Sequence, residues 1–420
     1  MNLEQALEKL YSLHQFGVKL GLEKPKELFA HIGNPQNDLK CIHIAGSNAK
    51  GSVASFITSI LIEDGFKVGL YTSPHFIKFN ERIRVNGKMI EDEYVTKFIN
   101  ELDDYIDENE PTFFELTTAM AFKYFVESGV DYAIIETGLG GRLDATNVID
   151  PISSVITTIS LEHTNILGDT IEQIAYEKGE IIKEGRKTII GLLPLEAENV
   201  IEKKTVMVHS ELFRLKDVLN IYKNSVSLNL SNRCITIYNT PLYGEYQLRN
   251  AALAILVVNK SIPLRDKDSV YKGINAVVKN SGIQGRYETY NEFPKVIFDS
   301  SHNEEGIENF INEFQSEYDS YNKREVIFGV MKDKNISKML KQFDKYFNNI
   351  YATTFQYDRA ATIEQIVEIG KEIGIEVRPI REVNLYIQEF VEEKRNNCLV
   401  VIGSIYLLGN IKSKLLGELT

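Results

Sequence analysis

The stretch HIAGSNAKGSVASF, His43 to Phe56, places one lysine among small residues directly after an apolar run. A loop that leaves a strand and enters a helix aims backbone amides and the positive helix end at an anion. Gly46 and Gly51 permit tight turns and close backbone approach, Lys50 supplies a cation, and Ser52 offers a hydroxyl to Mg2+. The spacing departs from the usual phosphate loop, which closes on Gly-Lys-Ser/Thr. Here Ala49 precedes Lys50, Gly51 follows it, and the hydroxyl comes one place late. The same residues would also serve a plain capped turn with Ser52 as N-cap. Ala49 is expected in an ordinary backbone conformation, because Gly46 and Gly51 remain to supply the turns.

Other reactive side chains recur where apolar runs end. Glu136 closes DYAIIE and is followed by Gly138, Gly140 and Gly141; His163 lies in SLEHTNILG, Ser73 in TSPH, and Asp299 after KVIF. In open α/β sheets, ligands bind at the carboxyl ends of the strands. Each residue also has a bland role: a solvated strand end, a structural histidine, a turn hydroxyl before Pro74. Lys178, beside Glu177 and Glu180, reads as a solvated lysine, and Arg286 as a lone cation. The residues alone leave both readings open.

The elements that must position them follow one rhythm. CIHIA, KVGLYT, DYAIIE and SVITTI read as buried strands, and SVASFITSILIEDG and TTAMAFKYFVESG as helices ended by Gly65 and Gly129. Strand, helix, strand in this order predicts an α/β fold with a parallel sheet flanked by helices. From about 200 to 240 the pattern changes, and SVSLNLSNRCITIYN reads as a hairpin. After the helical QLRNAALAILVVN comes a Gly- and Asn-rich tract, expected to be a linker at 286–294 between a domain at 1–285 and a smaller Rossmann-like α/β domain at 295–420. There KVIFDSSHN, EVIFGVM, NIYATTF and CLVVIGS resume the rhythm.

At 420 residues the chain suits two domains, and 43% hydrophobic with 25% charged residues is a globular mix. The net charge of −12 counts against nucleic acid as main partner, though a few local cations can still hold a phosphate. Three scattered cysteines without a CxxC pair, no signal-type N-terminus and no apolar run long enough for a bilayer predict a cytoplasmic protein away from membranes.

Several long stretches occur in a fixed order: SPHFIKFNERIRVNG, FFELTT, ETGLGGRLDATNVI, SLEHTNILGDTIEQIAYEKGEIIK, QLRNA, GRYE, FDSSHN and IGSIY. Together they resemble the folylpolyglutamate synthase/dihydrofolate synthase family of the Mur ligase superfamily, from about His14 to Tyr406. In that family the loop reads Gly-Thr-Asn-Gly-Lys-Gly-Ser, so the late hydroxyl is the family's own form; Ser47 and Ala49 are the departures. The resemblance implies a Mur-ligase-like first domain and a glutamate-ligase C-terminal domain. It implies that ATP, L-glutamate and dihydropteroate or a reduced folate are substrates, that two Mg2+ ions assist, and that the carboxylate passes through an acyl phosphate. Such chemistry needs cations at the γ-phosphate, metal on oxygen ligands and a dry site. A monomer with small-molecule partners is expected.

Carried over residue by residue, the resemblance gives Gly46, Ser47, Asn48, Ala49, Lys50, Gly51 and Ser52 to the nucleotide, together with Asn250, Arg286 and Asp299. Ser52, Ser73, Glu136 and His163 would meet the metals. Lys50, Lys178 and His163 would be catalytic, with Lys178 carbamylated. Phe114, Glu115, Leu116 and Thr117, and Leu143, Asp144 and Ala145, match the pterin contacts; His302 and Ser404 match positions for the incoming glutamate. Glu162 stands where the family has Asp, Lys-Gly-Glu replaces Lys-Ala-Gly after Tyr176-Glu177, and FDSSHNEE departs from Asp-Gly-Ala-His-Asn-Pro. Two rival readings are another Mur-type amino-acid ligase and a nucleotide switch that performs no ligation.

Overall fold

The structure is a computed structural model that describes residues 1–13, 21–231 and 233–417. His14 and Asn232, the latter in the turn of the expected hairpin, lie outside the described residues. The chain divides into two compact units. The first comprises Met1–Pro74, Asn80–Pro241 and Leu248–Gly282; the second comprises His75–Phe79, Leu242–Gln247 and Ile283–Thr420.

The first unit is built on an eight-stranded sheet. Its order is Lys88–Met89, Ile83–Val85, Val68–Tyr71, Tyr132–Glu136, Cys41–Ala45, Ser153–Ile156, Lys187–Ile190 and Glu211–Arg214. From Val68–Tyr71 onward all pairs are parallel. Cys41–Ala45 is buried at every residue, as a central strand covered on both faces must be. Its register pairs Ile44 with Glu136 and Ala45 with Ile156. The loops after Cys41–Ala45, Tyr132–Glu136 and Ser153–Ile156 therefore leave the same edge side by side. The expected hairpin forms: Ser225–Leu230 pairs antiparallel with Arg233–Ile237, and Leu219–Tyr222 adds a third strand.

Two helix starts differ from the sequence reading. The helix after the phosphate loop runs Lys50–Glu63, so Ser52 lies inside its first turn and is not the N-cap. Ala49 precedes it in the left-handed conformation, φ 68° and ψ −1°, which corrects the expectation of an ordinary backbone there. Gly51 is already helical with no positive φ, so the reversal into the helix falls on Ala49. The second helix begins at Phe113 rather than Thr117. Thr112 accepts from the Glu115 amide and Glu115 returns a carboxylate to the Thr112 amide, a reciprocal cap that satisfies two amides at the helix start.

The second unit has a six-stranded sheet in the order Glu288–Asn291, Lys295–Asp299, Asn397–Ile402, Lys323–Phe328, Asn349–Ala352 and Val377–Pro379. All pairs are parallel except the first. Four of the nine residues at 286–294 expected as a linker thus form an edge strand, Glu288–Asn291, paired with Lys295–Asp299. Apolar clusters cover both sheet faces, one around Phe310, Phe328 and Phe343 and one around Phe298, Ile387 and Leu408. Phe76 is enclosed by glycines in this unit: a Cβ on Gly285 would lie 2.3 Å from its ring, and one on Gly409 would lie 1.9 Å from its carbonyl oxygen.

Candidate active site

Hydroxyl groups from the neighbouring loop hold the phosphate loop in shape. The Ser47 amide donates to the Thr158 carbonyl at 2.8 Å, the Asn48 amide to Thr158 Oγ1 at 2.9 Å, and Thr157 Oγ1 to the Asn48 carbonyl at 2.6 Å. A Cβ at Gly46 would fall 1.8 Å from Thr157 Oγ1, so only glycine lets the loop lie against this threonine. The helical amides of Lys50, Gly51 and Ser52 have no intrahelical acceptor and sit at the positive end of the helix.

Two ammonium groups converge on the Gly46 carbonyl oxygen. Lys50 Nζ donates to it at 2.8 Å and Lys178 Nζ at 3.0 Å. Lys178 is buried in the helix Ile171–Gly179 and pairs with Glu162 Oε1 at 2.8 Å. Burial lowers the Lys178 pKa, Lys50 adds like-charge repulsion, and Glu162 pulls the other way. Burial alone would raise Glu162, but Lys178 and then Lys50 outweigh it and hold the carboxyl at about 2. Lys50 Nζ meets backbone carbonyls, Gly46 at 2.8 Å and Ser47 at 3.4 Å. The solvated lysine of the bland reading is therefore a buried, paired cation, and Glu162 is its counterion.

Glu136 is 4% exposed, and its Oε2 accepts from the Ser73 amide at 3.1 Å, joining two of the expected metal residues. His163 opens the short helix Thr164–Leu167 in a left-handed conformation, φ 47°. Ser52 is 1% exposed. The groups these residues carry are thus hydroxyl, carboxylate and imidazole.

The loop after Glu136 turns on Asp144. Its Oδ2 accepts the Gly138 and Leu139 amides at 2.9 and 2.8 Å; its Oδ1 accepts the Thr146 amide at 3.0 Å and the Thr146 hydroxyl at 2.5 Å. Asp144 is an anchor for the glycine loop. Phe114 is half-buried and its ring occupies the space beside Gly138, where a Cβ would meet it at 2.6 Å. Glu115 is engaged in the helix cap, and Leu116 and Thr117 are fully buried. Of that expected quartet, Phe114 is the residue brought to the glycine loop. Leu143 is half-buried and Ala145 buried beside Asp144. Asn250 is half-buried on the helix Glu245–Ser261.

In the second unit the expected residues gather at one strand end. Asp299 is 1% exposed; its oxygens accept the Tyr287 amide at 2.7 Å and the Ser301 amide at 2.8 Å, while burial raises its pKa. Arg286 is half-buried next to Tyr287 and donates to the Gly285 carbonyl at 3.3 Å. His302 Nδ1 sits 2.9 Å from the Ser300 carbonyl, and Ser404 caps the helix Ile405–Leu415 through the Tyr406 amide.

Sequence reasoning missed Thr157, Thr158 and Ser160. Thr157 and Thr158 belong to the run SVITTI, but the strand stops at Ile156 and their hydroxyls bond the Asn48 carbonyl and amide; Ser160 meets the Ser47 hydroxyl through its backbone, accepting at its carbonyl and donating from its amide. Two adjacent threonines at the end of an apolar run were the available signal.

Comparison with known proteins gives one consistent answer. The Mur ligase middle domain matches residues 44–258, and the Mur ligase glutamate ligase domain matches residues 285–405. The chain is 36% identical to the dihydrofolate synthase/folylpolyglutamate synthase of Bacillus subtilis, over 96% of each chain. The folylpolyglutamate synthase from Thermotoga maritima is 32% identical with a TM-score of 0.82, covering 98% of this chain and 97% of that one. FolC of E. coli in complex with DHPP and ADP is 26% identical with a TM-score of 0.88, covering 100% and 98%. A bifunctional folylpolyglutamate synthase/dihydrofolate synthase with Mn, AMPPNP and L-glutamate bound gives 26% and 0.86, covering 99% and 98%.

Proposed function

This chain belongs to the Mur ligase family, in its folylpolyglutamate synthase/dihydrofolate synthase branch of ATP-dependent ligases, and from that premise we propose that it joins L-glutamate to the carboxylate of dihydropteroate, of a reduced folate, or of both. The observation that carries the reading is the charge balance at Gly46. Two ammonium groups share one carbonyl oxygen, and Glu162 is paired with only one of them. That arrangement favours an incoming anion, and a nucleotide γ-phosphate supplies it.

In this reading the amides of Lys50 to Ser52 and the Lys50 ammonium bind the β- and γ-phosphates. As the γ-phosphoryl group moves to the substrate carboxylate, Lys50 stabilises its charge. Phe114, against Gly138, gives a flat ring a stacking face; Leu143 and Ala145 border it. Asp299 accepts ribose hydroxyls, Arg286 and Asn250 complete the nucleotide contacts, and His302 with Ser404 receives the glutamate. The glutamate amine then displaces phosphate from the acyl phosphate. No side chain forms a covalent bond to substrate, because the phosphate is the activating group.

The residues fit divalent magnesium. Ser52, Ser73 and Glu136 offer hard oxygen donors to a first ion, and His163 offers a nitrogen to a second. Among the described residues no cluster of three or more His, Cys, Asp or Glu side chains could cage a metal alone, which suits an ion that keeps water and phosphate oxygens. Bound there, magnesium neutralises phosphate charge. Burial and Lys50 lower the Lys178 pKa while Glu162 opposes them; carbamylation by CO2 would proceed from the neutral amine and would turn this group into an anion, so the charge balance at Gly46 is that of the unmodified lysine.

The reading is of a cytoplasmic monomer with small-molecule partners and neither nucleic acid nor membrane. Its net charge of −12 and three free cysteines are in keeping with that; no helix among the described residues is long and apolar enough to cross a membrane. The test is phosphate release from ATP with dihydropteroate or tetrahydrofolate, each with and without L-glutamate. Release that needs both a pterin substrate and glutamate supports the reading. Release without glutamate supports a nucleotide switch, and release only with another acid and amino acid supports a different Mur-type ligase.

A further inference from the structure

His43 lies in the middle of the central strand Cys41–Ala45, is 0% exposed, and has no part in the chemistry described so far. Its Nε2 is 2.8 Å from Thr146 Oγ1, while its Nδ1 is buried with no hydrogen-bond partner. The protons along this chain can be assigned. Asp144 accepts the Gly138, Leu139 and Thr146 amides, so its carboxylate is the acceptor in every contact. The single Thr146 hydroxyl proton is therefore spent on Asp144 Oδ1, at 2.5 Å. Thr146 Oγ1 must then accept, and His43 Nε2 carries the proton that it receives. Burial, reinforced by Lys183, pushes His43 down to about 3, in keeping with a neutral ring with one proton.

The relay ends on a functional surface. Asp144 Oδ2 fixes the Gly138 and Leu139 amides, and Gly138 is the residue against which the Phe114 ring lies. An apolar side chain on this strand would fit the covered sheet without leaving an unsatisfied nitrogen, since every neighbour on the strand is buried. The strand carries that cost and gains one donor aimed at Thr146.

We propose that His43 is a positioning residue: through Thr146 and Asp144 it sets the Gly138–Leu139 turn against Phe114, and so shapes the binding surface for the flat ring system of the acceptor substrate. The inference rests on the function proposed above for its substrate, but the relay itself can be scored without it. Two pairs of variants serve. His43→Leu fills the volume and removes the donor, while His43→Gln keeps an amide NH2 at the reach of Nε2. Thr146→Val keeps the shape and cuts the relay, while Thr146→Ser keeps the hydroxyl.

For His43→Leu and Thr146→Val, KM for dihydropteroate or tetrahydrofolate should rise about tenfold, the worth of one hydrogen bond in a charged chain, with KM for ATP within about twofold. His43→Gln and Thr146→Ser should recover most of that loss. Hydrogen exchange of the Gly138 and Leu139 amides should be at least about tenfold faster in the Leu and Val variants than in the wild type and near normal in the Gln and Ser variants. Equal KM effects in the conservative and disruptive variants, a parallel rise in KM for ATP, or unchanged exchange at both amides would each overturn the proposal. If wild-type protein turns over neither pterin substrate, the functional reading has failed, and the amide exchange still decides whether the relay exists. If His43→Leu does not fold, the Thr146 pair supplies both readouts.

Discussion

Two loops leave the carboxyl ends of parallel strands, one in each unit, and they have opposite electrostatic build. After Cys41–Ala45, cations converge on a backbone carbonyl: Lys50 and Lys178 both donate to Gly46. After Lys295–Asp299, backbone amides converge on an anion: Tyr287 and Ser301 both donate to Asp299. The topology is shared and the residue at the turn decides the sign. Glycine at the first strand end lets neighbouring chain and ammonium groups come close to its carbonyl, whereas aspartate at the second fills the space with its own charge. The first loop is suited to phosphate and the second to hydroxyl donors such as those of a ribose.

The sharpest way to break this contrast is to discharge the first loop. Lys50→Ala should reduce turnover by a factor of a hundred or more, about 3 kcal/mol of transition-state stabilisation, while the melting temperature changes little because the side chain is half-buried. Retention of more than about a tenth of the wild-type rate would return the loop to a plain strand-to-helix turn.

Glu162→Gln leaves Lys178 buried without its counterion, which costs about 3 kcal/mol of stability at neutral pH. The pH dependence has a definite sign. Folding holds the Glu162 pKa at about 2 against an ordinary 4.5, so its contribution is complete above about 4.5 and is lost as pH falls toward 2. The melting-temperature gap between wild type and Glu162→Gln should therefore narrow as pH drops through that window. A constant gap would mean that the charge on Glu162 contributes nothing.

Asp299→Asn tests the second loop. It removes the charge and one amide acceptor, and should raise KM for ATP about tenfold with a smaller effect on kcat. A lower melting temperature with unchanged KM would confine Asp299 to holding Tyr287 and Ser301.

The smallest effect is expected at Ala49. The left-handed backbone costs a residue with a Cβ roughly 1–2 kcal/mol, and glycine gives part of that back to the unfolded chain. Ala49→Gly should gain about 1 kcal/mol at most, a rise of a few degrees or less, and bind ATP somewhat more tightly. A lower melting temperature would show that Ala49 is not strained.

How much of this was legible in the sequence differs between the loops for a physical reason. Buried parallel strands announce themselves as continuous apolar runs, so CIHIA, DYAIIE and CLVVIG were placed within a residue or two. Contacts made across the sheet edge leave no periodic trace. Nothing in YEKGEIIK says that Lys178 turns inward to Glu162, since helix residues three or four apart on an amphipathic segment look alike whether they face water or a buried acid. Ala49 was misread because Gly51 was credited with turning capacity that the helix had already absorbed. The edge strand Glu288–Asn291 was misread because its exposed, polar residues have the composition of a linker.

Phe76 has a consequence for how the chain is made. It leaves the ribosome long before Gly285 and Gly409, the glycines that close around it. Phe76 therefore lacks these two neighbours until the chain has been synthesised through Gly409. The second unit thus draws together pieces that are far apart in order of synthesis. A chain beginning at Ile283 would carry a slot between two glycines with no aromatic ring to fill it, so this unit is unsuited to transplantation as a contiguous C-terminal cassette.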